Sequence, residues 1–101
     1  MSDVYSSPEK YGLEIVDKLD FEQGCYHFDL LCVWKDAFGN MYESQDCGDS
    51  GHSPFGFVYS IDELEKITDF EGFKSYVLNL KKDVTLEEKL NFLDNVKKAI
   101  T

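Results

Sequence analysis

The residues whose types could do chemistry lie in the first half of the chain, and most of them converge on one loop. The string Gly51-His52-Ser53-Pro54-Phe55-Gly56 sets a Ser and a His between glycines. A nucleophile elbow is written Gly-x-Ser-x-Gly, but this string is one residue longer, and Pro54 disturbs the helix start that an elbow requires. A chain of 101 residues is also too short for the hydrolase fold that the motif serves. A Gly/Pro-rich turn accounts for the same residues.

Cys25, His27, Cys47 and His52 could supply four soft ligands to a metal ion. They contain no Cys-x-x-Cys knuckle, and their spacing matches no zinc class. Strand alternation puts Cys32 on the opposite face from Cys25 and His27, where it reads as a packed thiol. Asp46, Asp49 and Ser50 could hold a hard cation, yet the alternating acids and closing Glu of a calcium loop are missing. No Lys follows the glycines to make a phosphate cradle. The expectation is a protein that is not an enzyme and takes no cofactor or metal.

The elements that would position these residues change period once along the chain. Met1 to Lys10 is polar, contains Pro8 and reads as a loose lead-in, leaving 11–101 as one domain. Leu13, Ile15, Leu19 and Phe21 then fall at alternate positions, with Asp17 as the one interruption, and predict a strand with one wet face. After a Gln23-Gly24 turn, Tyr26, Phe28, Leu30, Cys32 and Trp34 alternate again, while Leu31 and Val33 make the second face apolar too. A strand apolar on both faces belongs in the middle of a sheet. Phe38-Gly39-Asn40 turns the chain into a weaker strand, Met41 to Cys47, suited to an edge.

Residues 48–58 hold three Gly and one Pro without periodicity and read as the longest loop. Beyond it the pattern is helical. Ser60 with Glu63, Thr68 with Glu71, and Thr85 with Glu88 each spell a capping box, in which a hydroxyl and a returning carboxylate satisfy orphan N–H groups. The first predicts a short helix through about Ile67. The second predicts a helix with Phe70, Phe73, Val77 and Leu80 on one stripe, and the third one with Leu86, Leu90, Leu93, Val96 and Ile100. Strands first and helices after give an α+β fold: a three-stranded antiparallel meander packed against two to three C-terminal helices.

Charge supplies the strongest functional lead. Twenty Asp and Glu stand against ten Lys, with no Arg, for a formal charge of −10. Residues 1–55 carry eleven acids and three Lys, and residues 56–101 carry nine acids and seven Lys, so net −8 falls on the first half. A chain this acidic and without the guanidinium fork is a poor direct ligand for nucleic acid or an anionic membrane. It can be steered to a basic protein, or the charge can serve solubility alone. With no apolar leader or span in residues 1–20 and an odd set of three Cys, the expected location is the cytoplasm.

Phe55 and Phe57 sit at period two beside this acidic half. Either they present an aromatic anchor to a partner or they fold back as a lid over the open end of the sheet. Tyr59 is placed to staple onto Leu64 across the Ser60 cap. Asp20, Glu22, Asp46, Asp49, Phe55 and Phe57 are therefore the candidate partner-binding residues.

Three stretches, Tyr11-Gly12-Leu13-Glu14-Ile15-Val16, Gly24-Cys25-Tyr26-His27-Phe28-Asp29 and Asp49-Ser50-Gly51-His52-Ser53-Pro54-Phe55, together resemble an uncharacterised family of small bacteriophage and bacterial proteins. They span about the first 60 residues. Family members carry a Cys-x-Cys-Pro version of the third stretch, where this chain has His52 and Ser53, which argues against a shared metal or redox site. The resemblance implies a mobile-element origin and brings no known activity. The expected function is a small acidic module that binds and inhibits a basic, nucleic-acid-handling host protein, such as a defence nuclease or CRISPR effector. A toxin-immunity protein and a structural or assembly protein are the alternatives.

Overall fold

The strand with two apolar faces dictates the architecture, because both faces must be covered. The computed structural model describes residues 4–21, 27–49, 55, 56, 58, 60–80 and 84–100, with residues 27 and 49 by backbone alone. Strands β1 (Leu13–Asp20), β2 (His27–Asp36), β3 (Met41–Asp49) and β4 (Glu65–Lys66) form an antiparallel sheet in the order of the sequence. Helices α1 (Phe70–Leu78) and α2 (Leu86–Ile100) cover one face. There Leu31 and Val33 of β2 meet Leu19, Met41, Phe73, Val77, Phe92, Leu93 and Val96. On the other face Leu30, Cys32 and Trp34 are covered without α-helices, by Val4, Phe55 and Leu64 among others.

Asp17, which broke the alternation of β1, marks a β-bulge. Ile15 pairs with Trp34 and Asp17 with Val33, so Val16 is the extra residue. One inserted residue exchanges the faces of everything after it. Leu13 therefore packs into the Trp34 cluster, whereas Leu19 and Phe21, of the same parity, pack under the helices. Asp17 lands on the helix side, where Asn95 of α2 donates to its carboxylate at 2.8 Å.

The turn between β2 and β3 is built by Asp36. Its carboxylate accepts from the Phe38 and Asn40 amides at 2.9 Å each, from Asn40 Nδ2 at 3.0 Å and from the Tyr42 hydroxyl at 3.2 Å. Gly39 supplies the left-handed residue, with φ of 86°. Burial pushes the Asp36 carboxyl up, but the bonds from Asn40, Phe38 and Tyr42 outweigh it and hold it below its ordinary range. The Gln23-Gly24 turn lies outside the described residues.

Three expectations are corrected. The lead-in is ordered from Val4 onward: Val4 is fully buried, its amide donates to Val58 O at 3.1 Å, and its carbonyl accepts the Trp34 indole N–H at 2.9 Å. A buried indole needs an acceptor, and here the backbone of the N-terminal segment provides it. The Ser60 box opens only a 3₁₀ turn, Ile61–Glu63, after which the chain becomes β4 and raises the strand count to four. Leu64 enters the Trp34 cluster while Ile67 packs under the helices. Residues three apart reach opposite faces of a sheet only in an extended chain, so a helix through Ile67 would bury one of the two and strand the other.

The third correction concerns the helices. Asp69 rather than Thr68 is the N-cap of α1, with no side-chain capping bond, whereas Thr85 does cap α2 by accepting the Glu88 amide at 3.1 Å. The stripe of α1 runs as expected through Phe73 and Val77, but α2 is rolled about its axis. Lys89, Phe92, Leu93 and Val96 are buried, while Leu86 and Leu90 are 62% and 47% exposed. Lys89 has a reason to point inward: its ammonium donates to Leu80 O at 2.7 Å and Leu78 O at 3.4 Å, satisfying carbonyls at the end of α1.

Phe55 holds the helix-free face together under strain. It is 1% exposed, stands edge-on to Trp34 with ring centres 5.1 Å apart, and has φ of 57°, a left-handed conformation that costs a residue with a Cβ about 1–2 kcal/mol. Phe55→Ala should therefore lose about 3–5 kcal/mol in urea denaturation. Phe55→Gly should be no worse than Phe55→Ala, because relief of φ strain offsets the lost methyl. A Gly variant less stable than the Ala variant by about 1 kcal/mol or more, the ordinary order for glycine, would contradict this account.

Candidate protein-binding surface

Of the four carboxylates expected to bind, Asp20 and Asp46 have described side chains. Asp20 and Asp46 lie in one cross-strand row on the helix-free face, each opposite Leu30. Two strand spacings put them about 10 Å apart. Asp20 is exposed, but Asp46 is half-buried and its Oδ2 accepts the Phe55 amide at 2.8 Å. Asp46 thus fixes the strained turn at Phe55, and Phe55 is a core residue instead of an exposed anchor, the lid alternative. Asp49 closes β3 opposite His27. Glu22 and Phe57 lie outside the described residues.

Of the four metal candidates, Cys47 alone has a described side chain. Cys25 and His52 lie outside the described residues and His27 is described by backbone alone, while Cys47 is exposed on β3, paired with Asp29. Among the described residues no group of three His, Cys, Asp or Glu side chains converges. Cys32 is fully buried, and burial pushes its thiol up to about 12, against the opposing pull of nearby Lys18. Lys18 itself donates to the Tyr5 hydroxyl at 2.7 Å. Its ammonium lies 5.4 Å from that ring centre, a distance that fits a group just beyond the phenol oxygen, so the hydrogen bond and not the ring face is the contact. This bond raises the Lys18 pKa despite opposing burial.

A second acidic feature was not legible in the sequence. Glu43 of β3 and Glu65 of β4 are directly opposite each other. They line a groove of about 290 Å³ between the sheet edge and α1, together with Thr68, Asp69, Phe73 and Tyr76. Burial, and then the Glu65 charge, push the Glu43 carboxyl above its ordinary value. At the rim the Tyr76 hydroxyl donates to Gln45 Oε1 at 2.9 Å, and Gln45 Nε2 donates to Asp29 at 3.4 Å. The signal was hidden because Glu65 reads as part of a helix, where it would not oppose β3.

Among the described residues the sheet edge at this groove is open beyond β4. Ile67 N donates to Met41 O at 2.8 Å, so Met41 and Glu43 direct their backbone groups outward, and by alternation so do Gln45 and Cys47. β4 covers only Tyr42 and Glu43. From Ser44 to Gly48 no described residue pairs with the outer side of β3. The opposite edge, β1, is guarded by its bulge and by Lys18 N, which donates to the Asp17 side chain at 2.8 Å.

Two measurements probe this geometry. Glu43 with a raised folded pKa is tolerated best below the unfolded value and costs stability as pH rises through the folded one. Glu43→Gln should therefore be more stable than the parent at pH 7, by a few tenths to about 1 kcal/mol for a like-charged cross-strand pair. The half-exposed setting favours the lower end. The gain should vanish in urea melts near pH 4. Peptide mapping after iodoacetamide treatment of native protein should find Cys47 alkylated and Cys32 modified at least ~100-fold more slowly, since thiolate, not thiol, reacts.

Among the described residues no helix is long and apolar enough to cross a membrane. No curated protein and no solved structure matches the chain. Across residues 2–101 the chain belongs to the family described as Domain of unknown function (DUF7574).

Proposed function

We propose that this protein is a non-enzymatic, acidic binding module that docks on a basic protein and blocks it. The observation that carries the proposal is the uncompensated charge: net −8 within residues 1–55, the stretch that forms β1, β2 and β3. Such a field raises the on-rate toward a basic partner and repels nucleic acid. A protein that handles nucleic acid offers a matching basic surface. The resemblance to small bacteriophage and bacterial proteins supports a setting for such blocking, inside the host cytoplasm: inhibition of a defence nuclease or CRISPR effector by a mobile element. Immunity to a basic toxin rests on the same physics.

A specific observation favours a second reading, an assembly protein. The roll of α2 leaves Leu86 and Leu90 exposed on one side of the helix, and adjacent exposed apolar residues can be an association surface. This reading requires self-association that weakens in Leu86→Ser and Leu90→Ser.

Affinity capture at low and high salt, with identification by mass spectrometry, tests the first reading. The expected partner is basic, and its affinity falls at least ~10-fold between 50 and 500 mM salt because exposed charges are screened beyond a few ångströms at the higher value. Neutralising Asp20, Glu43 and Glu65 together should lower affinity similarly. A partner whose binding is insensitive to salt and to these substitutions would exclude electrostatic docking. Concentration-dependent sedimentation lost on Leu86→Ser would favour assembly instead.

A further inference from the structure

We infer that the outer edge of β3, from Glu43 to Cys47, is where the partner docks, by adding an extended Lys- or Arg-bearing segment to the sheet as a further strand. This inference rests on the acidic-module proposal and specifies its contact. Three independent features coincide at this edge.

The first is backbone. Gln45 and Cys47 direct N–H and C=O groups away from β2, both residues are exposed, and no described residue takes up these groups. An unpaired row of this kind is a template for another strand, and main-chain hydrogen bonds then supply affinity without regard to sequence. The second is the way β4 stops. It pairs with Tyr42 and Glu43 and then departs, because Leu64 turns into the Trp34 cluster. An added strand can continue the line of β4 along β3 without displacing it.

The third is charge, which selects the occupant. Residues of an added strand opposite Gln45 direct alternate side chains to the helix side, toward the groove that holds Glu43, Glu65 and Asp69. Glu43 and Glu65 repel each other across the ladder, and a cation between them relieves that repulsion. A second copy of the chain is a poor occupant. Edge-to-edge pairing of two β3 strands would bring two chains of charge −10 together with their Glu43, Asp46 and Asp49 positions side by side. The acids thus discourage self-addition while inviting a basic strand.

The test uses the whole chain and a synthetic peptide alternating Lys and Val, followed by amide NMR. At saturating peptide in low salt, the Gln45 and Cys47 amides should shift and gain at least tenfold protection from hydrogen exchange. Cys47→Pro removes an outward N–H and leaves the β2 ladder intact, a substitution that edge strands tolerate, and should weaken the peptide at least tenfold. Glu43→Lys with Glu65→Lys should weaken it as much and gain affinity for a peptide alternating Glu and Val. If the Lys-Val peptide binds with salt sensitivity but shifts other amides, or binds Cys47→Pro as tightly as the parent, the edge is not the site and the acidic-module reading survives. Salt-insensitive binding, or none, overturns the edge inference, and in that case a basic captured partner that is likewise indifferent to salt removes the broader reading too. Protection of Gln45 and Cys47 that grows with protein concentration alone would assign the edge to a second copy and overturn the basic occupant.

Discussion

A central strand with no polar face is the constraint from which the rest of the molecule follows. Leu31 and Val33 require one covering layer, and Leu30, Cys32 and Trp34 require another. A chain of 101 residues has only enough helix for one of them. The second layer is therefore assembled from a terminal segment and a loop, and the Trp34 indole joins them. Its N–H is satisfied by Val4 O, and its ring is closed over by Phe55, whose strained turn is held by the Asp46 carboxylate. Burial of an indole without an acceptor would cost a substantial part of a small domain's net stability. That is the reason the N-terminal residues belong to the core.

Covering both faces with so little chain leaves the sheet's edges thinly protected. β1 is defended by local devices, a bulge and a side chain folded onto a backbone amide. Among the described residues β3 receives the two residues of β4 and the Ile67 amide, and beyond them its defence is charge. The Glu43 and Glu65 pair works against folding locally, since two carboxylates face each other across a ladder in a half-buried groove. A sequence that retains a locally unfavourable pair at an open edge is more easily understood through association than through stability. Of the acids that the sequence singled out, Asp46 is less available, because its carboxylate is committed to the Phe55 amide, whereas Asp20 is exposed.

Most of the architecture was legible in the residues. The two-faced pattern of Phe28 to Trp34 identified the central strand, Gly39 the turn, and Thr85 with Glu88 the start of α2. What misled was local grammar overruled by burial elsewhere. Ser60 with Glu63 spells a helix start, but Leu64 and Ile67 are claimed by opposite faces of the sheet. Leu86 and Leu90 form a plausible stripe, yet Lys89 is drawn inward by the open carbonyls at the end of α1, and the helix rolls with it.

The sequence by itself determined the acidic balance without Arg, the order of strands before helices, and the strand that must be central, because composition and period are properties of the chain. The tertiary structure decided the rest. Asp17 became a bulge that exchanges faces, Phe55 a buried wedge, Asp46 its clamp, and Glu65 the opponent of Glu43. Each of those roles depends on a partner many residues away, and no local pattern states which distant residue will arrive to meet a side chain.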